Sequence, residues 1–482
     1  MRARLVHLSF TFAVAAGCGS ADQGPRSTLT ADQAAQAREQ CMFKAGALPG
    51  LTIAKDAPLG SEIPIDTIVV FTMENRSFDH VLGMLPAAGQ PDVDVAAADV
   101  SNPDSSGKPI QRFHLDEYCF DDTNHEWDGS HLEWDGGKND GFVKANESFQ
   151  NGVLDGTRAI GYYDQNDLPF LYGLATTYAT SDRHFASVLG PTYPNRDFLG
   201  AATSYGNTGD EIFTSGNRAN VMTAMEDHNA LGKDLISWHV YYEGVPGLGL
   251  FADTITINTY FDNVSRADEG GETFFDDAAG GKLSNVNFID PNLRDMWGGA
   301  NSFHPPGDVQ VGDEYLAKIV TAVTTSPQWK HLALIITFDE HGGLYDHVAS
   351  PTACAPDDIA PRVAAGATPY DFANYGFRVP LIIVSPYAKP HYVSHVVTDH
   401  TSILRFIERR FKMPAMTARD ANADPLLDLF DFNKAQLATP PFLPAPMVDQ
   451  AKLADCEARY PFKMINFFPD MAGEPTDLGA TD

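Results

Sequence analysis

The stretch IDTIVVFTMENRSFDH, residues 65–80, sets the reading of the whole chain. Its first half, Ile65–Thr72, is a nearly unbroken run of apolar and β-branched residues. A strand with one wet face alternates apolar and polar residues, whereas a continuous run suits a strand buried on both faces, as in a parallel sheet between helices. Leu332–Phe338 (LALIITF) and Val379–Ser385 (VPLIIVS) read the same way. Helical patterns lie between the runs. The clearest is Thr401–Phe411, where Ile403, Phe406, Ile407 and Phe411 share one face and Asp399 or Thr401 can cap the start. The expected fold is α/β, a mostly parallel sheet covered by helices on both faces. The segment at about 205–306, rich in Gly, Asp and Asn, reads as a loop-rich cap inserted into a single domain spanning 41–482.

The 482 residues include 33 Lys and Arg against 64 Asp and Glu, a net charge of −31. Such a field repels a nucleic-acid backbone and an anionic membrane surface, so neither is expected as an electrostatic partner. A phosphate-bearing substrate needs a local positive focus here, which a metal ion or clustered histidines can supply. The N-terminus, MRARLVHLSFTFAVAAGC, has a basic start, an apolar run from Leu5 to Ala16 and then small residues. It reads as a signal peptide over 1–18, too short for a permanent span. Ala15-Ala16-Gly17-Cys18 resembles a bacterial lipoprotein processing site, although Ala15 stands where Leu is usual. Ordinary signal-peptidase cleavage would instead discard Cys18. Either way the protein is expected to be exported: periplasmic, at the cell surface or secreted. Membrane contact is expected only through an N-terminal lipid anchor. The polar stretch 19–40 reads as a flexible tether. Cys41, Cys119, Cys354 and Cys456 remain, enough for up to two disulfides with three pairings open.

In doubly wound sheets, ligands bind beyond the carboxyl ends of the strands. Glu74-Asn75 follows the first run and Asp339-Glu340 the second. If the strands are neighbours, four oxygen donors meet, a set suited to a divalent ion of the Ca, Mg or Mn type. Taken separately, each pair equally suits the capping of a following helix. In GPTYPNR, residues 190–196, two prolines bracket Thr192 in a rigid turn. A hydroxyl held there can bind a metal and act as a nucleophile. On its own the turn also fits a structural loop whose Thr bonds the local backbone.

Six segments then form an ordered pattern: TMENRSFDHVLG at 72–83, HLEWDGGKNDGF at 131–142, VLGPTYPNRDFLGAATS at 188–204, ITFDEHGGLYDHV at 336–348, DHTSILRFIERRF at 399–411 and ARDANADPLLDLFDF at 418–432. With them the chain resembles the phosphoesterase family of bacterial phospholipases C, acid phosphatases and plant non-specific phospholipases C. The resemblance implies an alkaline-phosphatase-like core and hydrolysis of phosphate esters, with phospholipid among the candidate substrates. It implies Glu74, Asn75, Asp339 and Glu340 as metal ligands. Thr192 stands at the nucleophile, also bound to the metal, and a phosphothreonine intermediate follows. His125, His304 and His239 are the catalytic histidines it implies, and His131 joins them in binding substrate. His125, in NHEW, is favoured over His131. His341 and His347, like Asp79 and His80, fit orienting or packing roles beside the ligand pairs. Phosphate held by histidinium implies a mildly acidic pH optimum. The chain ends about fifty residues after the last segment, without the β-rich C-terminal modules of many bacterial phospholipases C. That leans toward the compact phosphatase-like or plant-like architecture. The alternative is a non-catalytic surface lipoprotein that binds a phosphorylated ligand, which the retention of Thr192 and all four ligand residues disfavours. A sulfatase-like hydrolase is disfavoured because no C-x-P-x-R occurs.

Overall fold

The computed structural model describes residues 24–147, 155–210, 218–232, 234–244, 261–267, 273–292, 300–363 and 370–461. The expected signal peptide, 1–18, lies outside them. Eight strands form one sheet: β1 (Thr67–Met73), β2 (Ala179–Ser181), β3 (Trp238–Tyr242), β4 (Val264–Arg266), β5 (Val286–Asp290), β6 (Leu332–Phe338), β7 (Leu381–Val384) and β8 (Tyr392–Ser394). Their spatial order is β8-β2-β7-β6-β1-β5-β3-β4. Every pair is parallel except those of β7, which runs antiparallel to β6 and β2. The run at 379–385 is therefore a buried strand, but its direction is opposite to its neighbours'. Hydrophobicity reports burial and carries no information on strand direction. Every residue of β1 and β6 is buried, so both faces of the sheet centre are covered.

The helices that bear on the site are α1 (Ala31–Glu39), α2 (Trp127–Trp134), α3 (Thr192–Ala201), α4 (Val221–Ala230), α5 (Val309–Thr325), α6 (His400–Phe411) and α7 (Gln450–Arg459). Helix α6 starts at Asp399 with a capping box to Ser402, and its expected apolar face is buried. Arg405 and Glu408 are buried there too, paired at 2.6 Å.

Two expected boundaries change. The 205–306 segment is not a cap: it contributes α4 and the strands β3, β4 and β5, and β5 pairs directly with β1. These strands are short, and WHVYY and VNFID contain His, Asn and Asp, so they do not stand out as apolar runs. Within the expected tether 19–40, residues 31–39 form α1, capped by Thr30 and Gln33. Its Ala34 and Ala37 are buried, and Ala37 packs with Phe43, Ala415 and Ala421. Alanine alone meets the core, so the helix looks polar in sequence. The disulfides are Cys41–Cys354 and Cys119–Cys456. No helix among the described residues is long and apolar enough to cross a membrane.

Candidate active site

Strand register builds the site. Met73 pairs with Phe338 across β1 and β6, so Glu74-Asn75 and Asp339-Glu340 leave the sheet side by side at its carboxyl edge. Hydrogen bonds lock the two turns together: Asn75 N–H donates to Asp339 Oδ1 (3.1 Å), and Arg76 N–H donates to the Glu340 carbonyl (3.1 Å). Asn75 is held in the left-handed region at φ +57°, a conformation kept only where surroundings enforce it. The turn after β6 presses close on both sides. A Cβ on Gly342 (φ +67°) would lie 2.2 Å from the Asn75 carbonyl oxygen, and one on Gly343 (φ +69°) 2.5 Å from that of Asn124. The paired glycines of DEHGG thus let one turn brace both the Asn75 turn and the loop bearing His125.

Thr192 is the first residue of α3 and is buried. Asn195 fixes the turn before it, donating to the carbonyls of Gly190 (3.0 Å) and Pro191 (3.0 Å) and accepting from Val188 N–H (3.1 Å). The Thr192 hydroxyl points at Asn75, with Oγ1 3.5 Å from Oδ1. Adjacent oxygen ligands of a cation bound at about 2.3–2.6 Å sit at comparable spacing. The helix N-terminus also favours negative charge on that oxygen.

Arg196 was not singled out from the sequence, yet it sits among the carboxylates. One helical turn beyond Thr192, its guanidinium donates to Asp339 Oδ2 (3.0 Å) and Asp290 Oδ1 (2.9 Å) and lies 3.6 Å from Glu74 Oε1. Burial opposes its charge, but Asp339, Glu74 and Asp290 outweigh that and hold it protonated. The carboxylates therefore spread around Arg196 rather than closing on one another. Glu340 is the exception. Its Oε2 accepts from Gly342 N–H (2.6 Å), while Oε1 is buried with no hydrogen-bond partner. Burial pushes its carboxyl well up, His125 pulls it down and Asp339 raises it again. A buried carboxylate oxygen with no donor fits a divalent cation of the Ca, Mg or Mn type.

The histidines divide. His125 and His304 come together, with ring centroids 5.9 Å apart, and with Asp122 they place ligand-capable atoms within 4.8 Å of one another. His125 Nε2 lies 3.2 Å from Asn75 Nδ2, and Nδ1 donates to the Thr123 carbonyl (2.6 Å). Burial works against its charge, but Glu340 and Asp122 raise its pKa to about 10. Arg76 anchors the segment before His304 by donating to the Phe303 carbonyl (2.8 and 2.5 Å). His131 is not brought into this group. It donates to the Trp127 carbonyl (2.6 Å) and stacks on Tyr370 at 3.7 Å, and burial lowers its pKa to about 4. His239 also stays apart. It pairs in register with Asn287, which pairs with Val69, four residues before the end of β1 and so about 13 Å below the edge. There it stacks on Tyr241 and bonds Ser265 Oγ at 2.9 Å. His341 Nδ1 lies 3.2 Å from Glu340 Oε2. The half-buried His347 and the buried Asp79 belong to a separate network with Asp346, neutralised by Arg378. His80 packs on Tyr163 and bonds the Gly161 carbonyl at 2.8 Å.

The carboxyl edge of this mostly parallel sheet thus gathers carboxylates, imidazoles and a hydroxyl. Residues 65–414 match the Phosphoesterase family, and the chain belongs to it. It is similar to non-specific phospholipase C1 of Arabidopsis thaliana, 30% identical over 385 residues, covering 74% of this chain and 69% of the plant protein. It is likewise 30% identical over 443 residues to phospholipase C A of Mycobacterium tuberculosis, covering 81% of this chain and 82% of that one. Among solved structures, a Vibrio parahaemolyticus protein of the alkaline phosphatase superfamily aligns with a TM-score of 0.33 and 10% identity, over 71% of this chain and 76% of the other.

Proposed function

We propose that the chain is an exported phospholipase C-type phosphoesterase with Thr192 as nucleophile and a divalent metal of the Ca, Mg or Mn type held by Glu74, Asn75, Thr192, Asp339 and Glu340. The observation that carries this reading is the Thr192 hydroxyl at a helix N-terminus, 3.5 Å from Asn75 Oδ1, beside the imidazoles of His125 and His304. The bound cation supplies positive charge that lowers the hydroxyl pKa and offsets the phosphate charge.

Thr192 Oγ, its proton already lost to solvent, attacks phosphorus in line while the ester oxygen leaves, giving a phosphothreonine. His125, kept protonated by Glu340 and Asp122, donates its proton to the departing alcohol, and His304 binds a phosphoryl oxygen. Water then attacks the phosphothreonine, His125 takes up the water proton, and Thr192 leaves as the alkoxide with which the cycle began, releasing a phosphorylated head group. Phospholipid is proposed as the substrate because the plant and mycobacterial relatives carry phospholipase C names. Export is supported by the two disulfides, which persist in oxidising compartments, and by the N-terminal segment. The test compares phosphatidylcholine with an aryl phosphate monoester, each with and without chelator. Lipid cleavage that stops with chelator, and is absent in Thr192→Ala, supports the proposal. Turnover of the monoester alone assigns a phosphatase, and full activity in Thr192→Ala removes Thr192 from its role.

A further inference from the structure

Glu133 lies on α2, outside the residues assigned above, and is fully buried. Its Oε2 lies 2.7 Å from His341 Nε2. The other ring nitrogen, Nδ1, lies 3.2 Å from Glu340 Oε2. His341 thus stands between two carboxylates, one of them the ligand whose second oxygen has no partner. The ring packs against Phe377, with centroids 4.4 Å apart, and edge-on to Phe142 at 6.1 Å.

The other oxygen of Glu133 reaches the second half of the site. Asn146 Nδ2 donates to Glu133 Oε1 (3.2 Å) and to the Gly343 carbonyl (3.3 Å). Asn146 Oδ1 accepts from Asn124 N–H (2.7 Å), on the residue before His125. One buried carboxylate therefore supports both the Glu340 side chain and the His125 loop. A buried carboxyl is costly unless it is paired, and both oxygens of Glu133 find partners on residues that lead to the site.

We infer that Glu133 is a positioning residue that acts through His341 to aim Glu340 at the divalent cation. The inference rests on the metal reading of Glu340 proposed above. Outer partners of metal ligands typically change affinity by about 10–100-fold when removed. The experiment titrates Mn²⁺ alone, by calorimetry, into the chelator-treated full chain as wild type, Glu133→Gln, His341→Asn, the double variant and Glu340→Gln. Mn²⁺ affinity is expected to fall about tenfold in Glu133→Gln, and kcat at saturating Mn²⁺ to return to within about threefold of wild type. The double variant is expected to bind no more weakly than His341→Asn. Wild-type affinity in Glu133→Gln while Glu340→Gln loses the ion overturns the inference and leaves the metal reading standing. Wild-type affinity in Glu340→Gln overturns the metal reading, and the inference with it. Should Glu133→Gln fail to fold, His341→Asn decides, since wild-type Mn²⁺ affinity there removes the link.

Discussion

Gly342→Ala tests whether the turn after β6 holds the site in place. The new Cβ would stand 2.2 Å from the Asn75 carbonyl oxygen, where an ordinary contact begins at 3.4 Å, so that carbonyl must retreat by 3.4 − 2.2 = 1.2 Å. Alanine in the left-handed region costs about 1–2 kcal/mol, and forcing apart packed backbone costs about 1–3 kcal/mol more. The expected loss of stability is about 2–5 kcal/mol. The retreat moves Asn75, whose amide lies against both Thr192 and His125. A misplacement of about 1 Å costs about 10²-fold in rate. Gly136→Ala is the control. Its φ is also +67°, but no atom lies within 4 Å of the added Cβ. It should lose about 1–2 kcal/mol and retain its activity. Guanidinium unfolding gives the stability change, and kcat/KM on phosphatidylcholine and an aryl phosphate gives the rate. If Gly342→Ala keeps kcat/KM within about threefold of the control, contact between this turn and Asn75 does not govern catalysis.

Arg196→Met should destabilise the chain by about 3–5 kcal/mol, because it strips the counter-charge from Asp290, Asp339 and Glu74. Denaturant unfolding with added Mn²⁺ should recover part of that loss, and no recovery would separate Arg196 from the cation site. Asp122→Asn should move the alkaline limb of kcat/KM to lower pH. Asp122 helps raise the His125 pKa to about 10, so its removal lets the imidazolium lose its proton earlier. A pH–rate profile identical to wild type would remove Asp122 from that role. Replacing both Cys119 and Cys456 with Ser should lower stability by about 2–5 kcal/mol. It should also reduce activity more than loss of Cys41–Cys354, because Cys119 precedes the loop bearing Asp122 and His125; equal activity in the two variants would contradict this.

The sheet centre was legible because β1 and β6 are almost wholly apolar or β-branched and buried from end to end, and local composition records burial on both faces. The flank built by β5 and β3 was not. Asn287 lies inside β5, fully buried, and satisfies its amide by donating to the carbonyls of Ile68 (3.2 Å) and Ser284 (2.8 Å). A polar residue satisfied by tertiary bonds looks like a loop residue in sequence. The site divides along the same line. Glu74, Asn75, Asp339 and Glu340 were readable because each pair directly follows a recognisable strand. His239 was misplaced because its motif is short and the strand that carries it was hidden. Arg196 and Asp290 left weaker traces. Arg196 stands four residues after Thr192, the spacing that puts two side chains on one helix face. Asp290 ends a strand as an acid, as the ligand pairs nearly do. Neither signal says that the two will meet at 2.9 Å. Acidic pairs at strand ends can be recognised from where they leave the chain, whereas a counter-charge is set by distances that only the folded sheet defines. In a chain with a net charge of −31, that compensation lets Asp339, Asp290 and Glu74 be buried together. The guanidinium partnering Asp339, Asp290 and Glu74 is thus as much a part of this edge's electrostatics as the carboxylates that the sequence displays.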